Sequence, residues 1–319
     1  MQTPRVRSAR RPVHGVLLLD KPLGLSSNDA LQKVKWLLQA EKAGHTGTLD
    51  PLATGLLPIC FGAATKYSQV HLEADKAYRT TLKLGVTTST ADAEGAVLQT
   101  RALAFTQADL ARVVAQFTGP IKQVPPMHSA LKRDGKALYE YARAGIEVER
   151  EARPVVIHSL TIAEPYVEGS DALVLDVRCS KGTYIRTLGE DIGEALGCGA
   201  HLSALRRTGT GGLGLEGAVT ILQLEKMTIG ERCEHLLATD SLLNDWPSVT
   251  LSEEDAGRFL SGVRRRLSLK DADHIRVYGS HPSAFLGSAS VKAGELIPGR
   301  LVSPIEIQQT LSFSPTTLL

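Results

Sequence analysis

Residues 44–55 read Gly44-His45-Thr46-Gly47-Thr48-Leu49-Asp50-Pro51-Leu52-Ala53-Thr54-Gly55, and no other run limits so strongly what this chain can fold into. The run holds three glycines, one histidine and one carboxylate. An amphipathic helix pattern precedes it, and an apolar run, 56–60, follows. Glycine at that density marks a chain that turns tightly or lets a ligand approach its backbone. Pro51 steers Asp50 away from helical geometry toward an extended one. The Asp50 carboxylate is therefore expected in a stiff, non-helical frame between a helix and a strand. Two readings stay open on these residues alone. One is a rigid mount for a working carboxylate, the other an Asp-Pro turn beside a glycine loop.

The pattern around this loop predicts an α+β fold. Residues 16–19 read as a buried strand. Ser27 or Asn28 is placed to cap a helix over 29–39, with Ala30, Leu31, Val34, Leu37 and Leu38 on one face. Strands are expected over 56–60 and 76–84, with a polar loop over 87–95. Thr106 heads a helix carrying Leu110, Val113, Val114 and Phe117. The stretch 119–126 holds too much proline for a regular element. Arg133-Asp134-Gly135 marks a turn before a helix over 136–144, which Gly145 ends. Strands over 155–166 and 172–180 flank a turn at 168–171, and a helix over 187–196 stops at Gly197. Strands and helices in this irregular order predict a mixed, largely antiparallel sheet flanked by helices rather than a parallel βαβ array. From Pro247 onward one short helix, 253–260, and strand-like runs at 275–278, 284–286 and 300–302 predict a small, mostly β appendage. The expected divisions are a basic disordered tail over 1–12, a main domain over 13–246 and the appendage over 247–319.

Bulk properties exclude several classes. Of 319 residues, 43% are hydrophobic, enough for a full core. No apolar run approaches the roughly 20 residues that span a bilayer, and no secretory segment opens the chain. Cys60, Cys179, Cys198 and Cys233 lie far apart, which argues against a zinc knuckle or a disulfide framework and fits a reducing cytoplasm. The nine histidines show no metal-ligand spacing. The net charge of +2 decides nothing about nucleic acid. Basic residues do cluster, at Arg5/Arg7/Arg10/Arg11, Lys33/Lys35, Arg206/Arg207 and Arg264/Arg265/Arg266. Singly each cluster reads as a solvated face; together they could converge on one RNA surface. Residues 209–214 match G-x-G-x-x-G, but Leu215-Glu216-Gly217 is a poor helix start, so no dinucleotide site is expected. In Lys181-Gly182-Thr183-Tyr184-Ile185 a threonine stands where an RNP1 segment needs an aromatic.

The glycine loop resembles the signature of the TruB family, the bacterial tRNA pseudouridine-55 synthases. Further blocks carry the same resemblance in the family's order. They are Asp20-Lys21-Pro22, Gly24-Leu25-Ser26-Ser27-Asn28-Asp29, Asp75-Lys76-Ala77-Tyr78 and Met127-His128-Ser129-Ala130-Leu131-Lys132. Gly135-Lys136, Leu138 to Arg143, Arg150-Glu151-Ala152-Arg153-Pro154, Cys179 to Arg186 and Gly197 to Arg207 follow. The resemblance covers roughly residues 14–210 and fades after Asp245. It implies a pseudouridine synthase-like catalytic domain, and by position a PUA-like, RNA-binding C-terminal appendage.

What the resemblance implies for chemistry is an isomerase that converts uridine 55 in the T-loop of tRNA to pseudouridine, with no cofactor and no metal. Asp50 matches the catalytic aspartate, and Arg186 the arginine that pairs with it. Tyr78 matches the tyrosine that stacks on the uracil and takes part in moving a proton, and Tyr184 a second base-contacting tyrosine. Leu205 occupies the place of an apolar pocket wall, with an ordinary core leucine as the alternative. His45 resembles the histidine that enters the space left by the flipped base. Lys21 is expected to support the site or contact phosphate. The expected partner is tRNA through its T-stem-loop, with no membrane, in a cytoplasmic monomer. An RNA-binding chaperone that remodels tRNA without chemistry is the alternative, and a hydrolase releasing free uracil a third reading.

Overall fold

In the computed structural model, which describes residues 10–129 and 131–312, the apolar run Val16 to Leu19 forms the middle of strand Gly15–Lys21. All of its residues but Asp20 are buried, as in a strand covered on both faces. The expected disordered tail over 1–12 lies outside the described residues as far as residue 9. Within it Arg11 is held. Its amide donates to Gln39 O, its carbonyl accepts from Glu41 N, and its guanidinium reaches Leu38 O and Cys233 Sγ.

The described chain divides into two compact units. The first gathers the chain up to Pro51, Gly55–Glu73 and everything from Gly212. Here strand Gly15–Lys21 pairs antiparallel with residues 55–61, in register from Gly15↔Phe61 to Lys21↔Gly55. It also pairs parallel with Val219–Thr220 and antiparallel with Leu236–Leu237. Helix Ser27–Leu37 buries Ala30, Leu31, Val34 and Leu37, as the apolar spacing predicts. Its cap is Ser26, not Ser27 or Asn28: the Ser26 hydroxyl accepts from Asp29 N at 3.1 Å and donates to Asp29 Oδ2 at 2.6 Å. Ser27 is freed from capping for an inward bond described below.

The later part of this unit is a five-stranded sheet in the order Ser248–Leu251, Ala272–Ser280, Ser283–Lys292, Glu295–Leu301, Arg265–Arg266. Helix Glu253–Leu260 forms where expected, with three acids in its first turn opposing the helix dipole. A second helix, Pro304–Ser312, was not expected, because its face is only weakly apolar. Ile307 seats it against two core clusters at once. One of these clusters joins Val302 to Val16, Leu18 and Leu56, with Phe285 packed against it, so the C-terminal sheet shares a core with the first strand.

The second unit comprises Leu52–Thr54 and Ala74–Gly211. Its five antiparallel strands run in the order Ala200–Thr210, Lys76–Leu84, Ala172–Cys179, Arg153–Ile162, Gly119–Gln123. Gly119–Gln123 corrects the expectation of no regular element there. Pro120 is admitted because this strand is the last in the order, where a missing N–H breaks no ladder. The polar stretch after Gly85 begins as a short strand, Val86–Thr88, paired with Val97–Thr100, before it becomes a loop. Asp134 and Gly135 both have positive φ, 51° and 80°, as a tight hairpin turn between Lys132–Arg133 and Lys136–Ala137 requires. That hairpin uses Lys136 and Ala137, so the expected helix shrinks to Leu138–Arg143. Helix Ile185–Ala195 begins two residues earlier than its pattern predicts, which brings Arg186 into its first turn. The G-x-G-x-x-G run ends one strand at Thr210 and enters another, Leu213–Gly214, so it opens no helix. The observed class is α+β. No described helix is long and apolar enough to cross a membrane.

Candidate active site

In the first unit the loop around Asp50 is held from both sides, by Gly24 in the loop after the first strand and by Ser27 at the start of helix Ser27–Leu37. Ser27 Oγ accepts from Leu49 N at 2.7 Å and donates to Leu49 O at 2.9 Å. Gly24 N donates to Pro51 O at 2.8 Å. The residues on either side of Asp50 are thereby fixed, while Asp50 itself is half-buried. Gly24 has φ +85°, a conformation that side-chain-bearing residues rarely adopt. Lys21 lies beneath this arrangement with 0% exposure. Its ammonium donates to Pro22 O at 3.0 Å and Leu25 O at 2.6 Å, so it ties down the loop that in turn ties down Leu49 and Pro51. A charge this deeply buried needs such partners. His45 ends strand Ala43–His45, opposite Ile59, and its Nδ1 accepts from Gly47 N at 3.4 Å.

The Ser27 bond carries an expectation of its own. Ser27→Ala leaves the buried Leu49 N–H and C=O short of a partner, at a cost of about 1–3 kcal/mol. A working carboxylate at Asp50 would be misplaced by the change, and turnover would then fall about tenfold. Denaturant melts and single-turnover assays check this, and lost stability with unchanged turnover would make the bond purely structural.

In the second unit Tyr78 lies in strand Lys76–Leu84, opposite Val177 on one side and Arg207 on the other. With Leu52 and Leu205 it packs against the core cluster that holds Leu82, Leu175 and Val177. Leu205 sits opposite Thr80, and its carbonyl accepts from Thr54 Oγ1 at 3.4 Å. Tyr184 is the residue before helix Ile185–Ala195. Gln123 clamps its backbone as Ser27 clamps Leu49. Tyr184 N donates to Gln123 Oε1 at 3.0 Å, and Gln123 Nε2 donates to Tyr184 O at 3.2 Å.

Arg186, 7% exposed, is fixed by three acceptors within this unit. Nη2 donates to His128 O at 2.7 Å, and Nη1 reaches Thr90 O at 3.3 Å and Asp92 Oδ2 at 3.4 Å. Asp92, 3% exposed, is itself held, since its Oδ1 accepts from Thr90 Oγ1 and from Glu94 N. A buried guanidinium facing a buried, hydrogen-bonded carboxylate is a rigid charge rather than a flexible surface arginine.

Lys21, His45 and Asp50 thus lie in the first unit, and Tyr78, Tyr184, Arg186 and Leu205 in the second. Sequence reasoning missed Ser27, Gln123 and Asp92 as supports. Ser27 was visible only as a capping candidate. Asp92 was one acid in a polar run, and Gln123 one amide among prolines. Among the described residues no three His, Cys, Asp or Glu side chains gather to hold a metal ion. All four thiols are free, and burial pushes Cys60 up to about 12 and Cys179 to about 11.

Comparison with known proteins agrees along nearly the whole chain. The pattern described as TruB family pseudouridylate synthase (N terminal domain) matches residues 35–185. That of the tRNA pseudouridylate synthase B C-terminal domain matches 186–244, and that of pseudouridine synthase II TruB, C-terminal, matches 247–302. A tRNA pseudouridine synthase B of Verminephrobacter eiseniae is 58% identical over 98% of this chain and 95% of its own. One of Ralstonia nicotianae is 57% identical over 93% of this chain and 97% of its own. Among solved structures, a Cbf5-Nop10-Gar1 complex has a chain with TM-score 0.68 and 24% identity, covering 96% of this chain and 92% of that one. An H/ACA RNP bound to a substrate RNA containing 2′-deoxyuridine gives TM-score 0.66 at 22% identity, over 91% of this chain and 86% of that one. At such identities the likeness to these two is one of fold.

Proposed function

The chain belongs to the TruB family of pseudouridylate synthases, and on that premise we propose that it isomerises uridine 55 in the T-loop of tRNA to pseudouridine with Asp50 as the reacting carboxylate. The observation that carries this reading is the double clamp on Asp50: Ser27 on Leu49 and Gly24 on Pro51. Such a mount suits a group that must meet a substrate atom in one orientation.

The reaction breaks the C1′–N1 bond of the uridine, turns the detached uracil over and rejoins it to C1′ through C5. Nothing is oxidised and no group is imported. Asp50 serves either as a nucleophile or as an aid to elimination across the sugar. Its charge must survive in a site that excludes water, and a guanidinium favours the ionised form. That is the role of Arg186, itself held rigid by His128 O and Asp92. Enzymes that act on a base take it out of its stack and pack it on aromatic or apolar side chains. Tyr78, Tyr184 and Leu205 form that packing surface, and His45 fills the space left in the RNA. Lys21 supports the loop that mounts Asp50.

Tyr78 has two separable roles, stacking and proton transfer. Tyr78→Phe keeps the ring and loses the hydroxyl; turnover should fall about 10²-fold or more with RNA affinity little changed. Tyr78→Leu should also weaken binding, by about 1–3 kcal/mol for the lost stack. Equal affinities for the two variants in a filter-binding assay would remove the stacking role. In the same reading, residues 247–319 grip RNA as a PUA-like appendage, and the protein works as a cytoplasmic monomer. The test of the function is to incubate the purified protein with an unmodified T-stem-loop RNA, adding nothing else, and to map pseudouridine nucleotide by nucleotide. Pseudouridine at position 55 alone is expected. Free uracil, or binding without product, would overturn the reading.

A further inference from the structure

We infer that Arg207 is a positioning residue for the proton step. Its guanidinium holds the Tyr78 phenol oxygen across two paired strands and favours the ionised phenol that takes the proton from C5. This rests on the reading of Tyr78 given above.

The two consecutive arginines of strand Ala200–Thr210 meet different fates, because neighbouring strand residues point to opposite faces. Arg206 stands opposite Arg79, which is on the surface and paired with Asp176 at 2.8 Å. Arg207 stands opposite Tyr78 and is 1% exposed, the largest fully buried side chain of the described protein. Directly opposed residues on one face lie close enough for their side chains to touch. An arginine is almost never buried without a specific partner. Arg207 has one in the Tyr78 side chain, to which it is hydrogen-bonded. A guanidinium can only donate, so the phenol oxygen is the acceptor in that bond.

Lys76 lies two residues before Tyr78 on the same face of its strand, with its ammonium donating to Ala74 O. Burial, with Arg207 adding to it, pushes the Lys76 ammonium down to about 8. Cys179 stands opposite Lys76, and its thiol is pushed up to about 11 by burial. Val177, opposite Tyr78 on the next strand, carries no charge. A guanidinium bonded to a phenol favours its ionised form.

When uracil has rejoined the sugar through C5, that carbon bears both the ribose and its hydrogen. The phenol has already lost its proton to water. The C5–H bond breaks, the proton passes to the phenolate oxygen, and the electron pair forms the C5=C6 double bond. The C6=N1 pair moves onto N1, which takes a proton from water.

A double-mutant cycle on the full chain tests this, with a T-stem-loop RNA whose uridine 55 carries hydrogen or deuterium at C5. Arg207→Gln should slow single turnover about 10²-fold with RNA affinity little changed, and should bring out a deuterium effect of about twofold or more as proton removal becomes limiting. In a Tyr78→Phe background the same substitution should cost less than about twofold further. Arg207→Lys, which keeps the charge and loses the fork, should recover about tenfold over Gln, and it carries the cycle if the Gln variant does not fold. Losses that multiply across the two backgrounds, or no change in isotope effect, overturn the inference. A slow Tyr78→Phe with a fast Arg207→Gln overturns the role of Arg207 alone. A Tyr78→Phe that turns over like the unaltered protein overturns the reading of Tyr78, and Arg207 falls with it.

Discussion

Asp50→Asn should abolish pseudouridine formation, by at least about 10⁴-fold in single turnover, while tRNA affinity stays within about threefold. Asn has the shape of Asp without its charge, and neither clamp depends on that charge. Both bonds of Ser27 go to the backbone of Leu49, and Gly24 bonds the carbonyl of Pro51. The loop should keep its form, and RNA that recognises shape, stacking surfaces and phosphate partners should still bind. A chaperone that remodels tRNA without chemistry would tolerate the change fully. Turnover and affinity measured on the same preparation separate the two readings, and a normal yield of pseudouridine would remove Asp50 from the mechanism.

Arg186→Lys should cost about 10²–10³-fold in turnover with little change in affinity. The buried guanidinium spends two nitrogens on three acceptors, His128 O, Thr90 O and Asp92 Oδ2. A lysine ammonium is a single point of charge and cannot reproduce that fork. Asp92→Asn makes a useful companion, because it keeps the arginine and removes its buried counter-charge. Breaking one side of a buried pair costs about 3–5 kcal/mol, so this variant should lose thermal stability as well as turnover. If Arg186→Lys turns over normally and Asp92→Asn only melts earlier, the pair is a structural brace and some other cation serves Asp50.

The elements set by strong local signals were legible in the sequence. The apolar run of Gly15–Lys21, the helix headed by Thr106 and helix Glu253–Leu260 each follow from residues close in the chain. What was not legible depends on partners far away. Gly119–Gln123 is a strand because Arg153–Ile162 offers it an edge, against its own proline content. Pro304–Ser312 is a helix whose seat combines residues of the neighbouring sheet with others more than two hundred positions earlier. The same divide runs through the site. Asp50 stood out because glycines and a proline surround it. Ser27, Asp92, Gln123 and Arg207 act through bonds to residues 22 to 129 positions away. No local pattern marks such a residue, and Arg207 looked like half of an ordinary basic pair.

A crystal structure of the Asp50→Asn protein bound to a T-stem-loop RNA would show whether Asp50 meets the target uridine. The substitution keeps the substrate intact. Uridine 55 is expected turned out of the loop, its ring against Tyr78, with the substituted amide side chain beside C1′ and Arg186 next to that amide. A uridine still stacked within the RNA, or one flipped into a pocket that residue 50 does not line, would contradict it.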